Sequence, residues 1–572
     1  MTKRQSTIAR RACAFAGTLV LAVFGVAQPG AAQPVSAQPV SAQPVSAQPV
    51  SATGHPAGSH SVNAYTGLTN AQRANLMGIA RDTWKFFADD VDPTTHLPMD
   101  NVTYAGGSAT ATSTGQYTGA SNIGVYLWSV VSAEDLGLVS RPKARALISA
   151  TLTEISHLDR SNGFLYQWYD TTNGKVLLNP GQGDCPSVGN TFDNCSFLSN
   201  VDNGWYASGL IVVRQAMPEL APQAGALLNQ MNFGIFYDDR AETHCNVNPA
   251  IPGNQPTGQM YGGYYVGSPP DVGDNWTHYY HNGAIYSDPR ISAYIGMGLH
   301  QMPGNVWWRS WRELPPPAPF ADCGTTDPDF SWQGQWPMGG QWDTITDPVS
   351  HQQFPVWEGH YTYPNSNLTF MPTWAGGMFE GLMANEVVPE TSWGSTSFGL
   401  ADARTAAVQI RYATQELGYP VWGMSPSSTA DDTGNYGGFG VEGLKFPYHG
   451  GGATTDDPNL ALSQCYACAS EDTVTPHASF LALDVAPQQA YANIQKLRTQ
   501  FPGVYGADGF FDAVNPTTGS VGHRILVLDQ SMIMASLDNA LHNRAVQRDF
   551  ASDPVSWAAQ VYLGAEDMTL GE

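Results

Sequence analysis

The stretch 199-SNVDNGWYASGLIVVRQAMPEL-220 decides how the rest of the chain is read. From Tyr206 to Val213 it is apolar or small on every side, which marks a helix buried all round rather than a helix with a wet face. Just before that run stand Asp202, Asn203, Gly204 and Trp205, an acid and a large aromatic crowding the entrance to a buried element. Three other segments share the all-round apolar character: Ile123–Ala133, Ile291–Leu299 and Ile525–Leu541.

Between them lie amphipathic segments. Pro142–Leu158 sets Leu147, Ile148, Leu152, Ile155 and Leu158 on one stripe, with Lys143, Arg145 and Glu154 off it and Pro142 suited to a first turn. Gly399–Leu417 and Pro487–Phe501 read alike. The two kinds alternate along the chain as about six pairs: Ala71–Phe87 with Asn122–Leu136, Pro142–Leu158 with Trp205–Met217, Pro222–Phe233 with Pro289–Gln301, a weak segment near Val306–Arg312 with Trp374–Val387, Gly399–Leu417 with His477–Leu483, and Pro487–Phe501 with Ile525–Leu541. An inner ring of buried helices wrapped by an outer ring, an all-α (α/α)6 barrel, is the simplest packing of such pairs. Strand signals are sparse and short. The segments entering the inner helices (89–121, 159–204, 234–288, 315–373 and 418–476) are long, so one face, at the inner-helix N-termini, is built from long aromatic and Gly-rich loops.

The remaining chain features bound the setting. Residues 1–32 read as a signal peptide: Lys3, Arg4, Arg10 and Arg11, then an apolar run from Ala12 to Val26, then Gly30-Ala31-Ala32. Arg10-Arg11 leaves a twin-arginine variant open. An AQPVS repeat follows, and residues 33–60 read as an extended Pro-rich linker to a single domain at 61–572. No later segment has the apolar length of a membrane span. These features predict a secreted, monomeric protein. With 25 Lys+Arg against a net charge of −24, the chain lacks a nucleic-acid footprint and suits a neutral partner. Six cysteines follow the signal, and their spacing predicts pairs Cys185–Cys195, Cys465–Cys468 and Cys245–Cys323.

At the predicted mouth, acids recur beside aromatics, which is what sugar rings require: flat faces to stack on and carboxylates for hydroxyls and proton transfer. Asp202, Asp288 and Asp472 precede inner helices and each also reads as a helix cap. Glu380, about two turns into the fourth inner helix and flanked by Phe379 and Leu382, is the acid whose pKa burial would raise. Trp205, Trp276, Trp374 and Trp422 are expected to stack on sugar, with Tyr280, Arg290, His477 and Asp529 as further contacts. His278 with His281, and Asp431-Asp432-Thr433-Gly434-Asn435, fall short of metal-site patterns, so no metal or cofactor is expected.

The motifs Asn122–Leu127, Leu165–Asp170, Val201–Gly204, Ser287–Gly296, Trp374–Glu380 and Glu471–Ala478, in this order and spacing, resemble the bacterial glucoamylase-like (glycoamylase) domain. That family includes endo-β-1,2-glucanases and the transglycosylating domains of cyclic β-1,2-glucan synthases. The resemblance implies an (α/α)6 barrel with its site at the mouth and points to Asp202, Asp288, Glu380 and Asp472 as pocket acids, although the family usually carries Glu where Asp288 stands. The expectation is a glycoside hydrolase acting on a neutral poly- or oligosaccharide, a glucan of the β-1,2 type first, with Glu380 as proton donor and Asp288, or a water it activates, as its counterpart; Asp202 and Asp472 orient sugar or water. Two rivals are a polysaccharide lyase using Tyr280 and His278, which needs a basic cleft, and a non-catalytic glycan-binding barrel.

Overall fold

The computed structural model describes residues 61–239, 258–267, 281–313, 338–363, 365–373, 376–441 and 472–570. Among them run fifteen α-helices: α1 Asn70–Asp89, α2 Ala120–Asp135, α3 Arg141–His157, α4 Asn200–Ala216, α5 Ala221–Leu228, α6 Arg290–Gly298, α7 Asn305–Trp308, α8 Met378–Leu382, α9 Glu390–Trp393, α10 Phe398–Arg411, α11 Pro476–Leu481, α12 Pro487–Gln500, α13 Val527–Leu541, α14 Ala545–Ser552 and α15 Trp557–Ala565.

Six of these helices close a ring in the order α2, α4, α6, α8, α11, α13 and back to α2. The seam between α6 and α8 is made by Arg290, which donates to the Ser287, Glu380 and Gly381 carbonyls and pairs with Glu390 through Nε–Oε1 at 2.8 Å and Nη2–Oε2 at 2.9 Å. All six are buried on nearly every side, as their lack of a polar face requires. Around them, α1 packs on α13, α3 on α2, α5 on α4, α10 on α8 and α12 on α11.

Backbone contact, not only side-chain packing, sets the tightest seam. A Cβ on Gly124 of α2 would meet the Trp205 carbonyl oxygen at 2.3 Å, and a Cβ on Gly209 of α4 would meet the Gly124 oxygen at 2.3 Å. Each glycine weakens its own helix by about 1 kcal/mol relative to Ala, yet the pair lets two buried helices touch main chain to main chain. Trp205 can then turn its ring edge-on to Trp128, with centroids 5.8 Å apart and planes at 87°.

Three expectations change. The fourth outer helix is not Val306–Arg312. That segment yields only the single turn α7, and the C-terminal α15 packs against α6 and α9 instead. Trp307 ties the two by donating from Nε1 to Glu566 at 2.7 Å. The fourth inner helix starts at Met378 rather than Trp374, because Gly376 at φ +71° breaks the chain just before it. Strands are also longer than read: Met338–Thr346 and Gln353–Thr362 form an antiparallel hairpin, with Thr369–Phe370 beside it. Its second strand alternates, with Phe354, Val356, Glu358 and His360 buried on one face.

The Cys185–Cys195 disulfide is formed, with Cα atoms 5.7 Å apart. Cys245, Cys323, Cys465 and Cys468 lie outside the described residues. No helix among those described is long and apolar enough to cross a membrane.

Candidate active site

The first turns of the ring helices bring their polar groups to one end. Asn122 opens α2, Asp202 lies in the first turn of α4, Asp288 stands two residues before α6, Glu380 is in the first turn of α8, His477 opens α11 and Asp529 lies in the first turn of α13. Ser199, not Asp202, caps α4: its Oγ accepts the Asp202 N–H at 3.3 Å, which frees the Asp202 carboxylate to accept from Gln167 Nε2 at 3.1 Å.

Two carboxyl pairs dominate this end. In the first, Glu380 and Asp288 are hydrogen-bonded side chain to side chain. Burial, and then the neighbouring Asp288 charge, raise Glu380 well above the ordinary carboxylate range. Burial pushes Asp288 only to about 6, because the hydrogen bonds from Glu380 and from the Trp205 side chain favour its ionised form while the Asp202 charge opposes it. The pair therefore holds its proton on Glu380, and Ser287 Oγ donates to Glu380 Oε2 at 2.7 Å. The elevation of Glu380 does not come from depth along a helix, as expected from the sequence, since it sits in a first turn. It comes from burial of the carboxyl and from the Asp288 charge beside it, in a first turn tied to the neighbouring chain through Met378 N–H to the Met424 carbonyl and Phe379 N–H to Ser425 Oγ.

The second pair is Asp512 and Asp529, again hydrogen-bonded to each other and buried. Here Asp512 keeps the proton, raised well above its usual range by burial and by Asp529. Asp529, pushed up to about 7 by burial, is the partner eased by the bond. Asp512 is anchored by accepting the Ser428 N–H. His477 Nδ1 lies 3.1 Å from Asp529 Oδ2, and burial lowers the imidazole to about 4, so it is neutral. The three groups have ligand atoms within 4.8 Å of one another, yet the shared proton and the neutral imidazole already settle their charge. Tyr436 joins the two pairs: its phenol feels the charges of Asp529, Asp512, Glu380 and Asp100 together. Asp100, held by Asn122 Nδ2 at 2.9 Å and Asn101 Nδ2 at 2.8 Å, borders the same space.

Other expected contacts fall differently. Arg290 is buried and saturated by Glu390 and backbone carbonyls, so it braces the Ser287–Glu380 region from beneath. Trp422 is buried in the core, its main chain bonded to Asn493. Trp205 presents its Nε1 side to Asp288 rather than a free face. Asp472 accepts from Tyr419 Oη at 2.5 Å and Thr517 Oγ1 at 3.0 Å. Trp276, His278, Tyr280 and Trp374 lie outside the described residues. Asp512, Tyr436, Asp100 and Ser287 were not singled out from the sequence. Asp512 had a signal, an acid between aromatic and apolar residues in 509-GFFDAV-514. Asp100 and Tyr436 stand in polar loops that offered none.

With this geometry in hand, the likeness to known proteins is specific. Residues 345–554 match a glycoamylase family model described as "Putative glucoamylase". The cyclic β-(1,2)-glucan synthase NdvB of Rhizobium meliloti (strain 1021) is 30% identical over 203 residues, which is 33% of this chain; the chain spans 6% of that much longer relative. The endo-β-1,2-glucanase from Chitinophaga pinensis superposes with a TM-score of 0.56 at 14% identity, covering 87% of this chain and 98% of that one. The endo-β-1,2-glucanase from Talaromyces funiculosus gives 0.56 at 10% identity, covering 86% and 89%, and a glucoamylase-like protein from Bacteroides fragilis gives 0.56 at 17%, covering 87% and 98%. At these identities the structural matches speak for a shared fold, a helical barrel. The glucoamylase-like (glycoamylase) family is thus the one this chain resembles, in sequence over residues 345–554 and in fold over nearly all of the described barrel.

Proposed function

We propose that this protein is an exported glycoside hydrolase built on an (α/α)6 toroid and that it cleaves a neutral glucan of the β-1,2 type. The observation that carries the reading is the pair of carboxyl dyads at one end of the ring, each holding one proton, with Tyr436 in the field of both. Glycoside cleavage uses one protonated and one ionised carboxyl on opposite sides of the scissile bond, about 5–9.5 Å apart depending on stereochemistry. Asp288 and Glu380 touch, so no sugar ring fits between them, and they act as one unit. Glu380 carries the proton and gives it to the glycosidic oxygen as the bond to the anomeric carbon breaks. Asp288 is the ionised neighbour that keeps the proton on Glu380 until then. The counter-carboxylate is Asp529, which takes a proton from the water attacking the anomeric carbon, with Asp512 donating to it and His477 packed beside it. Asp202 and Asp100 are left to bind sugar hydroxyls.

The substrate class rests on charge and on kinship. A chain at −24 repels polyanions, and the similar solved proteins include endo-β-1,2-glucanases, one of them in complex with sophorotriose and glucose. Incubation with β-1,2-glucan is expected to yield shorter oligosaccharides with ordinary reducing ends. Turnover should change little between about 0.05 and 0.5 M salt, since recognition of neutral sugar has no long-range charge to screen, and a chelator should not abolish it. Intact β-1,2-glucan beside cleavage of another neutral glycan sinks the linkage; unsaturated products from a uronate polymer sink the hydrolase reading.

A further inference from the structure

The opposite end of the ring carries a second cluster that hydrolysis does not use. The last residue of α2, Asp135, meets Asp538 and His542 at the end of α13. A carboxylate oxygen of Asp135, one of Asp538 and a ring nitrogen of His542 all lie within 4.8 Å of one another. His542 Nδ1 is 3.9 Å from Asp135 Oδ1 and 3.7 Å from Asp538 Oδ1. Those separations are too long for hydrogen bonds. They match the roughly 3–4 Å between neighbouring ligands that share one ion at metal–ligand distances of about 2.0–2.5 Å.

The Asp538 side chain is fully buried, and no donor reaches either of its oxygens with hydrogen-bond geometry. A proton shared with the facing Asp135 carboxyl, and the neighbouring Ser132 hydroxyl, compensate it inside the cluster. The nearby guanidinium groups make their hydrogen bonds elsewhere and reach the cluster as charges only, Arg548 beside Asp135 and both Arg548 and Arg141 beside Asp549. Arg141 serves Glu134, Glu219 and the Ala216 carbonyl; Arg548 serves the His542 and Asn543 carbonyls. Asp549 of α14 adds a further negative group against Asp135 and Asp538, and two helix C-termini contribute their negative ends. A fully buried carboxyl in such a field must be neutralised, by a shared proton or by a bound cation.

We infer that Asp135, Asp538 and His542 bind a divalent transition ion that clamps the C-terminal ends of α2 and α13. The mixed imidazole and carboxylate set suits Zn2+ or Mn2+ better than Mg2+. The clamp would fasten two adjacent ring helices at the end remote from the glycan pocket, so the ion supports the barrel rather than the chemistry.

The test uses the full chain, stripped with chelator and desalted. Addition of about 0.1 mM Zn2+ or Mn2+ is expected to raise Tm by at least about 3 °C, as binding to the folded state alone requires, with Mg2+ giving less. Elemental analysis after desalting should find about one ion per chain. Asp538→Asn removes the buried charge, so it should fold and melt no lower than the stripped protein, yet show no ion-dependent rise. His542→Ala, half exposed and away from the core, should also lose the rise. No rise with either ion in the unsubstituted chain overturns the inference and leaves Asp135 and Asp538 as a proton-sharing pair. A rise that survives in both variants places the ion elsewhere and overturns it equally.

Discussion

Glu380→Gln is expected to lower kcat/KM on the cleaved glucan at least about a hundredfold, the ordinary contribution of a positioned general acid. The replacement keeps the shape and keeps an oxygen to accept from Ser287 Oγ, but it has no proton to give the leaving oxygen. Three readouts separate this from damage to the fold. Tm should hold or rise, because a buried acid has been replaced by a neutral amide. The alkaline fall of the pH profile, which in the unsubstituted enzyme reports loss of the Glu380 proton, should disappear. An aryl glycoside whose leaving group needs no protonation should lose far less activity than the glucan. Asp288→Asn is expected to cost a similar factor, since Glu380 then loses the ionised partner that sets its proton affinity. Asp135→Asn, at the far end of the ring, is the control and should keep its activity. Retained turnover in Glu380→Gln together with a lower Tm would make Glu380 structural.

Asp529→Asn should do two opposite things. It should reduce turnover by a factor on the order of a hundred or more by removing the base, and it should raise Tm at pH 8 by several degrees. The sign follows from linkage. Asp529 is raised from 3.8 to about 7 by burial, so the folded chain holds a proton that the unfolded chain has already released between about pH 4 and 7. Stability therefore falls as pH climbs through that window, and the loss is complete above about 7. A shift of this size corresponds to about 4 kcal/mol at most. Glu380 and Asp512 are raised for the same reason and add to the same slope. A melting series from pH 5 to 8 should thus decline toward alkaline pH, with Asp529→Asn declining less steeply. Equal slopes in the two proteins would show that Asp529 is not a buried, proton-sharing group.

Much of the barrel was legible because burial leaves a periodic mark. The all-round apolar runs of α2, α4 and α13 can only be inner helices, and the stripe of α3 can only face inward on one side. Asp202, Asp288, His477 and Asp529 were drawn from helix entrances and Glu380 from about two turns inside one, and the structure places all five at the same end of the ring. The hairpin at 338–362 was equally visible in the alternation of 353-QFPVWEGHYT-362, which a helical reading of the chain passed over. The weak α7 segment misled for a different reason. One turn with two tryptophans is apolar enough to look like a helix, but the place outside α6 went to α15, more than two hundred residues later.

The sequence by itself determined the order of buried and half-buried helices and the end at which the acids gather, because both are local properties: periodicity over one helix and residue type near its start. Only the tertiary structure decided which acids share a proton. Asp288 meets Glu380 across the α6–α8 seam, and Asp512, on a loop far from any inner helix start in sequence, meets Asp529. Those contacts exist because the chain closes a ring, and with them came the two things a reading of helix entrances could not supply: burial deep enough to hold protons at neutral pH, and the distinction between a carboxyl that donates and one that accepts.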